Sequence, residues 1–148
     1  MKLLFKKNRV PHRFFRILPL DWKNSIVPQW PNYKASSSIY VIECDGQVIA
    51  GGIVFSKTPP HATPIELEYN YLFKANYLYI GYLYVLPEFR NKNIASKWLE
   101  AVKNRYDKQK FWLTIEVFDL KFFYEKNGFK LMDSSPCLHS DEWVMISE

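Results

Sequence analysis

The sequence predicts an α+β protein built on a mixed, mostly antiparallel β-sheet with one β-α-β crossover and flanking helices. Two β-rich runs meet at Asp45-Gly46, a dipeptide that favours a tight hairpin turn. Further along, a helical pattern separates two more β-rich runs, and a helix is the usual connection between parallel strands. A short helix and two final strands follow, so the antiparallel pairs come first and the crossover comes after them.

The first third of the chain predicts three strands and one short helix. Residues 13–18 are interpreted as the first strand, and the prolines that follow leave room for a helix near Leu20–Ile26. Residues 39–44 and 47–55 form the two arms of the hairpin. Gly51-Gly52 in the second arm indicates a bulge or a close approach of another segment.

The middle of the chain combines a loop with two tyrosine-rich segments. Residues 58–64 contain three prolines and predict a loop, and residues 74–76 can turn the chain. Apolar and polar residues alternate over 65–73, which predicts a strand, and Tyr77–Val85 predicts the central strand. Because closely spaced tyrosines often border a cleft or an interface, an edge strand rich in tyrosine makes a second copy of this chain an expected partner, in a homodimer.

The second half predicts the crossover and a closing unit. Apolar side chains recur at helical spacing from Ile94, and residues 111–117 then form a strand parallel to the central one. Asp119 can cap a second helix, and Gly128 supplies a left-handed residue after its end. The last two strands are expected at residues 129–133 and 142–146.

Length and composition narrow the class of protein. A chain of 148 residues suits a single domain over residues 1–148, and 48% hydrophobic and 24% charged residues are ordinary values for a folded protein. No apolar run approaches the roughly 18 residues that span a bilayer. The N-terminal apolar stretch is too short for a secretory signal. We therefore expect a cytoplasmic protein with no membrane partner.

The net charge of +5 is concentrated at one end of the chain. Residues 1–34 carry eight basic side chains and one acidic one, whereas the rest carry twelve basic and fourteen acidic side chains. A solvated basic end explains this distribution, so nucleic acid is a weak candidate for a partner. Cys44 and Cys137 are expected to be reduced thiols, and the three histidines lack metal-ligand spacing, so no metal is expected.

Residues 84–95 carry most of the chemical information, because they run from a strand through a tight turn into a helix. A helix N-terminus has unpaired backbone N–H groups and the positive end of its dipole, so it can hold a phosphate. Arg90 and Lys92 add positive charge to that corner. Asn91 and Asn93 tolerate a left-handed backbone and can cap a helix. The segment is interpreted as an anion-binding turn.

This segment resembles the acyl-CoA-binding segment of the GNAT acyltransferase superfamily, where a strand ending in V-x-P-E-x-R leads into R/Q-x-x-G-x-G/A. Asn93 stands where the family usually has glycine. A second family block is present as FFYEKNGF at residues 122–129, and the closing strand reads Trp143-Val144-Met145. The resemblance covers residues 39–146 and implies a GNAT-like fold, in which two parallel strands splay to open a central cleft.

The resemblance also implies a function, an acyl-CoA-dependent N-acyltransferase with acetyl-CoA as co-substrate and no metal. The acetyl group would move to a primary amine of a small molecule or a protein by direct attack. Tyr124 would be the general acid that protonates the leaving thiolate, and the backbone N–H of Val85 would be the oxyanion donor. The residues implied to bind the co-substrate are Tyr84, Val85, Arg90, Asn91, Lys92, Asn93, Ile94, Ala95 and Ser96.

The general base stays open at this stage. Glu116, Glu68 and His139 are candidates, and deprotonation through water and tyrosine hydroxyls is an equal alternative. The aromatic residues favour an acceptor with an apolar body. The alternative to an enzyme is a catalytically silent GNAT-fold module that acts in protein interaction through its tyrosine-rich surface and basic N-terminus.

Overall fold

The computed structural model describes residues 2–132 and 141–147. In these residues, seven strands form one mixed sheet. The strands are β1 (Leu3–Lys7), β2 (Ser37–Cys44), β3 (Gln47–Phe55), β4 (Tyr77–Val85), β5 (Lys110–Ile115), β6 (Phe129–Leu131) and β7 (Trp143–Ser147). Their order is β1-β2-β3-β4-β5-β7-β6. Every neighbouring pair is antiparallel except β4 and β5, which are parallel. The predicted fold class is confirmed.

Five α-helices flank the sheet in the described residues. They are α1 (Pro11–Phe15), α2 (Leu20–Ile26), α3 (Pro64–Glu68), α4 (Ile94–Arg105) and α5 (Leu120–Lys126). The helix expected near residue 20 has the predicted bounds, and α4 connects the parallel strands as expected. Asp119 occupies the N-cap position of α5 without a capping side-chain hydrogen bond, and Gly128 adopts the predicted positive φ. None of these helices is long and apolar enough to cross a bilayer.

The strand predicted at residues 13–18 is wrong, because this segment begins within helix α1. Phe14, Phe15 and Leu18 are all buried, and their spacing of one and four residues matches one face of a helix. Pro11 occupies the first turn, where its missing N–H costs nothing. The first strand is instead β1, which pairs with β2 at the edge of the sheet.

The strand predicted at residues 65–73 is also wrong, because α3 and a 3₁₀ turn occupy this segment. The Thr63 hydroxyl accepts from the Glu66 backbone N–H at 3.3 Å, and the Glu66 carboxylate accepts from the Thr63 N–H at 2.9 Å. This capping box starts a helix in spite of the alternating pattern. The tyrosine-rich strand is therefore the central β4, and the described sheet edges are β1 and β6. The homodimer was expected from a tyrosine-rich strand at the edge of the sheet, and neither described edge strand contains tyrosine. The homodimer therefore stays an untested prediction.

The hairpin at Asp45-Gly46 and the bulge in β3 are confirmed. The register of β3 against β4 shifts between Gly51 and Ile53. A Cβ atom on Gly51 would lie 2.7 Å from the Phe14 ring, and one on Gly52 would lie 2.7 Å from the Trp98 ring. The glycine pair therefore lets helices approach both faces of β3 closely.

The sheet has a hydrophobic core on each face. On one face, α4 and α5 pack against β-strand residues such as Ile80, Phe111 and Met145. On the other face, the segment containing α1 to α3 covers residues such as Val41, Phe55 and Trp112. Cys44 is buried and free, as expected, whereas Cys137, His139 and the predicted strand end at Asp133 lie outside the described residues.

Candidate active site

A cleft opens where β4 and β5 separate. The two strands pair over Tyr77–Tyr79 against Lys110–Trp112 and have no registered pairs beyond that point. Tyr82 adopts a φ of 56°, which distorts β4 where its register with β3 shifts. The resulting cleft has a volume of about 520 Å³ and is lined by residues of both strands and of the helices on both faces.

The start of α4 leaves backbone donors free. Asn93 at the N-cap has a φ of 61° and makes no capping side-chain hydrogen bond. Asn91 is also left-handed, with a φ of 63°. The first helical bond runs from the Lys97 N–H to the Asn93 carbonyl at 3.0 Å, so the N–H groups of residues 94–96 have no intrahelical acceptor. Asparagine thus adopts the left-handed conformation expected at the position of the family's glycine.

Backbone alternation directs Val85 towards the gap between β4 and β5. The Leu86 N–H donates to the Ile49 carbonyl of β3 at 2.9 Å. Since successive residues of a strand point their N–H and C=O groups to opposite sides, those of Val85 face away from β3. The Arg90 guanidinium donates to the Val85 carbonyl at 3.0 Å and lies over the Tyr84 ring, which fastens the turn to the end of β4.

Tyr124 lies on α5 and lines the cleft. Its ring contacts the rings of Phe123 and Phe129, within the core on the α4–α5 face. Burial raises the pKa of the Tyr124 hydroxyl to about 12. The phenol is therefore protonated at neutral pH and can donate a hydrogen bond or a proton into the cleft.

Four carboxylates also line the cleft, and three of them were missed by the sequence analysis. Glu116 was predicted as a site residue, and the structure places it at the cleft. Glu68 is instead exposed on α3, outside the cleft lining, and His139 lies outside the described residues. The three carboxylates that the sequence analysis missed are Asp21, Glu66 and Glu142.

Glu66 and Glu142 belong to a polar network at the closed end of the cleft. The buried Tyr79 hydroxyl donates to Glu66, and it lies 3.1 Å from the Thr114 hydroxyl. Burial raises the pKa of Glu142 above its usual range, and repulsion from Glu66 and Glu116 acts in the same direction. Hydrogen bonds from the hydroxyls of Thr63 and Thr114 oppose that rise. A carboxylate with a raised pKa is a better proton acceptor.

The capping box could have located Glu66. The pattern T-x-x-E at residues 63–66, with proline at the first helical position, predicts a helix start with that glutamate pointing back at its cap. No local pattern marks Asp21 or Glu142, because tertiary packing alone brings them to the cleft.

A comparison with protein-family sequence profiles identifies the family. The sequence profile of the acetyltransferase (GNAT) domain matches residues 35–131, about two thirds of the chain. This protein belongs to the GNAT acetyltransferase family. No curated protein sequence matches it significantly. The GNAT profile ends before β7, so Glu142 lies beyond the matched region.

Solved GNAT structures have the same fold as this chain at low sequence identity. The PaiA N-acetyltransferase of Thermoplasma acidophilum, solved with coenzyme A, is 16% identical over 100% of this chain and 99% of its own, with a TM-score of 0.60. An Elizabethkingia anophelis GNAT acetyltransferase with acetyl-CoA bound is 15% identical over 99% and 97%, with a TM-score of 0.64. Arabidopsis thaliana Naa50, in complex with the bisubstrate analogue CoA-Ac-MVNAL, is 16% identical over 100% and 99%, with a TM-score of 0.63.

The left-handed Asn93 leads to a stability prediction. We expect Asn93→Ala to lower the free energy of unfolding by about 1 kcal/mol, because alanine lacks the side chain that makes this conformation tolerable. Asn93→Gly should be close to neutral. Urea denaturation measures both, with Asn104→Ala on the exposed face of α4 as control. Equal stability of Asn93→Ala and wild type would contradict the requirement for a left-handed residue.

Proposed function

We propose that this GNAT protein transfers the acetyl group of acetyl-CoA to a primary amine by direct attack. The observation that carries the proposal is that the turn before α4 and the open edge of β4 adjoin. The turn before α4, which ends in free backbone donors, is tied to the end of β4 because Arg90 donates to the Val85 carbonyl, and β4 has no registered β5 partner beyond Tyr79, where the cleft opens. Relatives of the same fold, solved with coenzyme A or acetyl-CoA bound, support this assignment.

The described residues fit a pyrophosphate and a pantetheine arm. The free N–H groups of residues 94–96 and the left-handed Asn91 and Asn93 form a concave turn with donors that suit phosphate oxygens. Arg90 and Lys92 supply positive charge at the same corner. The edge of β4 at Val85 would receive the pantetheine arm, whereas the backbone groups of Tyr84 face β3, so its ring would border the arm instead. The full set proposed for the co-substrate comprises Tyr84, Val85, Arg90, Asn91, Lys92, Asn93, Ile94, Ala95 and Ser96.

The two sides of the cleft suggest separate entry of the two substrates. Tyr124 belongs to the core on the α4–α5 face, whereas Tyr79 and Tyr82 belong to the core on the α1–α3 face. Glu66, which accepts from Tyr79, is on the latter side. The thioester would therefore reach the cleft from the α4 side, and the amine would meet it from the carboxylate side.

The chemistry then needs three groups of this chain. Glu142 takes a proton from the ammonium form of the acceptor, directly or through water, and the freed nitrogen attacks the carbonyl carbon. The Val85 N–H donates a hydrogen bond to the carbonyl oxygen, where negative charge develops. As the carbon–sulfur bond breaks, Tyr124 donates a proton to the sulfur and regains one from solvent. Glu116, at the rim of the cleft, is the second candidate for the base.

Two measurements test the proposal. Calorimetric titration with acetyl-CoA is expected to give a dissociation constant in the micromolar range. A colorimetric assay of free thiol is expected to detect release of coenzyme A that depends on added amine. Binding without release from any amine in a broad panel would overturn the enzyme assignment. Absence of acetyl-CoA binding would favour the silent interaction module.

The proposed base leads to a prediction about pH. The rate should rise with pH as Glu142 loses its proton, and the midpoint should lie above the usual carboxyl range because burial raises the pKa of Glu142. We expect Glu142→Gln to lower kcat at least about tenfold and to remove this rise, since a positioned base contributes roughly 10²–10⁴-fold. Glu100→Gln, on the exposed side of α4, is the control.

A pH profile of kcat checks this expectation. Glu66 and Glu116 also face Glu142 and repel its charge, so the profile is measured in Glu116→Gln as well. A Glu142→Gln enzyme that keeps both the wild-type rate and the rise with pH would rule out Glu142 as the base.

A further inference from the structure

The charge of the cleft is opposite to that of the protein. The chain has a formal net charge of +5, yet four carboxylates line the cleft, and no lysine or arginine of the described residues does so. One histidine, His61, also lines the cleft. Carboxylates gathered in a concave site repel one another, and a bound cation relieves that repulsion.

The four carboxylates come from separate elements around the cleft. Asp21 is on α2, Glu66 on α3, Glu116 just after β5 and Glu142 just before β7. No group of three or more acidic, histidine or cysteine side chains in residues 2–132 and 141–147 is arranged to hold a metal ion. The negative charge is therefore spread along the cleft, which suits an extended organic cation.

Aromatic rings border the Asp21 side of the cleft. The Trp22 ring lies edge-on to the rings of Tyr82 and Tyr84, with centroids 5.9 Å and 5.7 Å apart. The hydroxyls of Ser25 and Tyr82 are 2.6 Å apart, and this hydrogen bond fastens α2 to β4. Because burial raises the pKa of Tyr82, its hydroxyl is neutral at physiological pH. Such rings can pack on methylene groups and attract an ammonium group.

We infer that the acceptor is a small amine with two positive charges joined by a short hydrocarbon chain. The reacting amine lies near Glu142, while Asp21 and the ring of Trp22 hold the second ammonium group. This inference rests on the proposed function, and it departs from the acceptor with an apolar body that the aromatic residues alone favour, because the carboxylates of the cleft call for a second positive charge. The cleft volume of about 520 Å³ suits a small molecule.

The test compares two acceptors with the same four-carbon chain, 1,4-diaminobutane and 1-aminobutane, in the wild type and in Asp21→Asn. We expect kcat/KM for the diamine to be about tenfold higher than for the monoamine, through a lower KM, because a charge-assisted hydrogen bond forms to the second ammonium group. Asp21→Asn should bring the two values together. Asp107→Asn, which removes the same charge from an exposed turn after α4, should preserve the difference.

Failure of the inference and failure of the proposed function give different results. Equal kcat/KM values for the two amines would overturn the dicationic acceptor and leave acetyl transfer intact. If neither amine is acetylated, the broad amine panel decides the proposed function, and calorimetric titration of each amine into protein loaded with coenzyme A decides the inference. Tighter binding of the diamine that Asp21→Asn abolishes would support it, and equal binding would overturn it.

Discussion

Replacing Tyr124 by phenylalanine is expected to lower kcat about a hundredfold, because a positioned general acid contributes roughly 10²–10⁴-fold. The substitution removes one hydroxyl and keeps the ring that packs against Phe123 and Phe129. The affinity for acetyl-CoA should therefore hardly change, since the proposed binding groups are at the start of α4. Steady-state kinetics and calorimetric titration measure the two quantities separately.

The control for this substitution is Tyr71→Phe, which removes a hydroxyl from a ring that is 50% exposed and lies outside the cleft lining. It should leave both kcat and acetyl-CoA affinity at the wild-type values. A Tyr124→Phe enzyme with the wild-type kcat would show that the leaving sulfur does not depend on this proton. Weaker acetyl-CoA binding in Tyr124→Phe would point to a structural role.

Replacing Trp98 by alanine should lower the free energy of unfolding by about 3–5 kcal/mol, the usual cost of removing a large buried aromatic side chain. Trp98 has no exposed surface, and its ring packs against Gly52 of β3. Its indole N–H donates to the Tyr40 carbonyl at 2.9 Å. Trp98 thus fixes α4, and with it the proposed phosphate-binding turn, to the sheet. Urea denaturation measures the loss.

Two further variants separate the contributions of Trp98. Trp98→Phe keeps much of the packing and loses the hydrogen bond, so it should cost less than Trp98→Ala. Lys97→Ala, on the neighbouring exposed position of α4, should change the free energy of unfolding by less than about 0.5 kcal/mol. If Trp98→Ala is as stable as Lys97→Ala, the helix is held by other contacts.

Local patterns predicted the elements whose signals are unambiguous. The Asp45-Gly46 turn, the β-rich run of β4 and the apolar face of α4 each have one interpretation, and all three are present. The two wrong strands come from segments with competing signals. In residues 13–18, neighbouring phenylalanines suggest a strand although the buried positions follow a helical period. At residues 65–73, the alternation masks a capping box.

The two halves of the candidate site differ in how visible they are in the sequence. The turn from Arg90 to Ser96 is contiguous, so its donors and its left-handed residues can be inferred locally. The carboxylate side is assembled from α2, α3, β5 and β7, which are distant in the chain. Glu142, the base that we propose, becomes apparent when β7 is placed beside β5.

The most direct test of acetyl transfer is mass spectrometry of the products formed from acetyl-CoA and 1,4-diaminobutane. The proposed function, taken with the dicationic acceptor inferred above, predicts a monoacetylated diamine and an equal amount of coenzyme A, both strongly reduced with Tyr124→Phe. A protein that binds acetyl-CoA but forms no acetylated product from this diamine or from any amine of the broad panel, or that releases coenzyme A by hydrolysis to acetate alone, would contradict acetyl transfer.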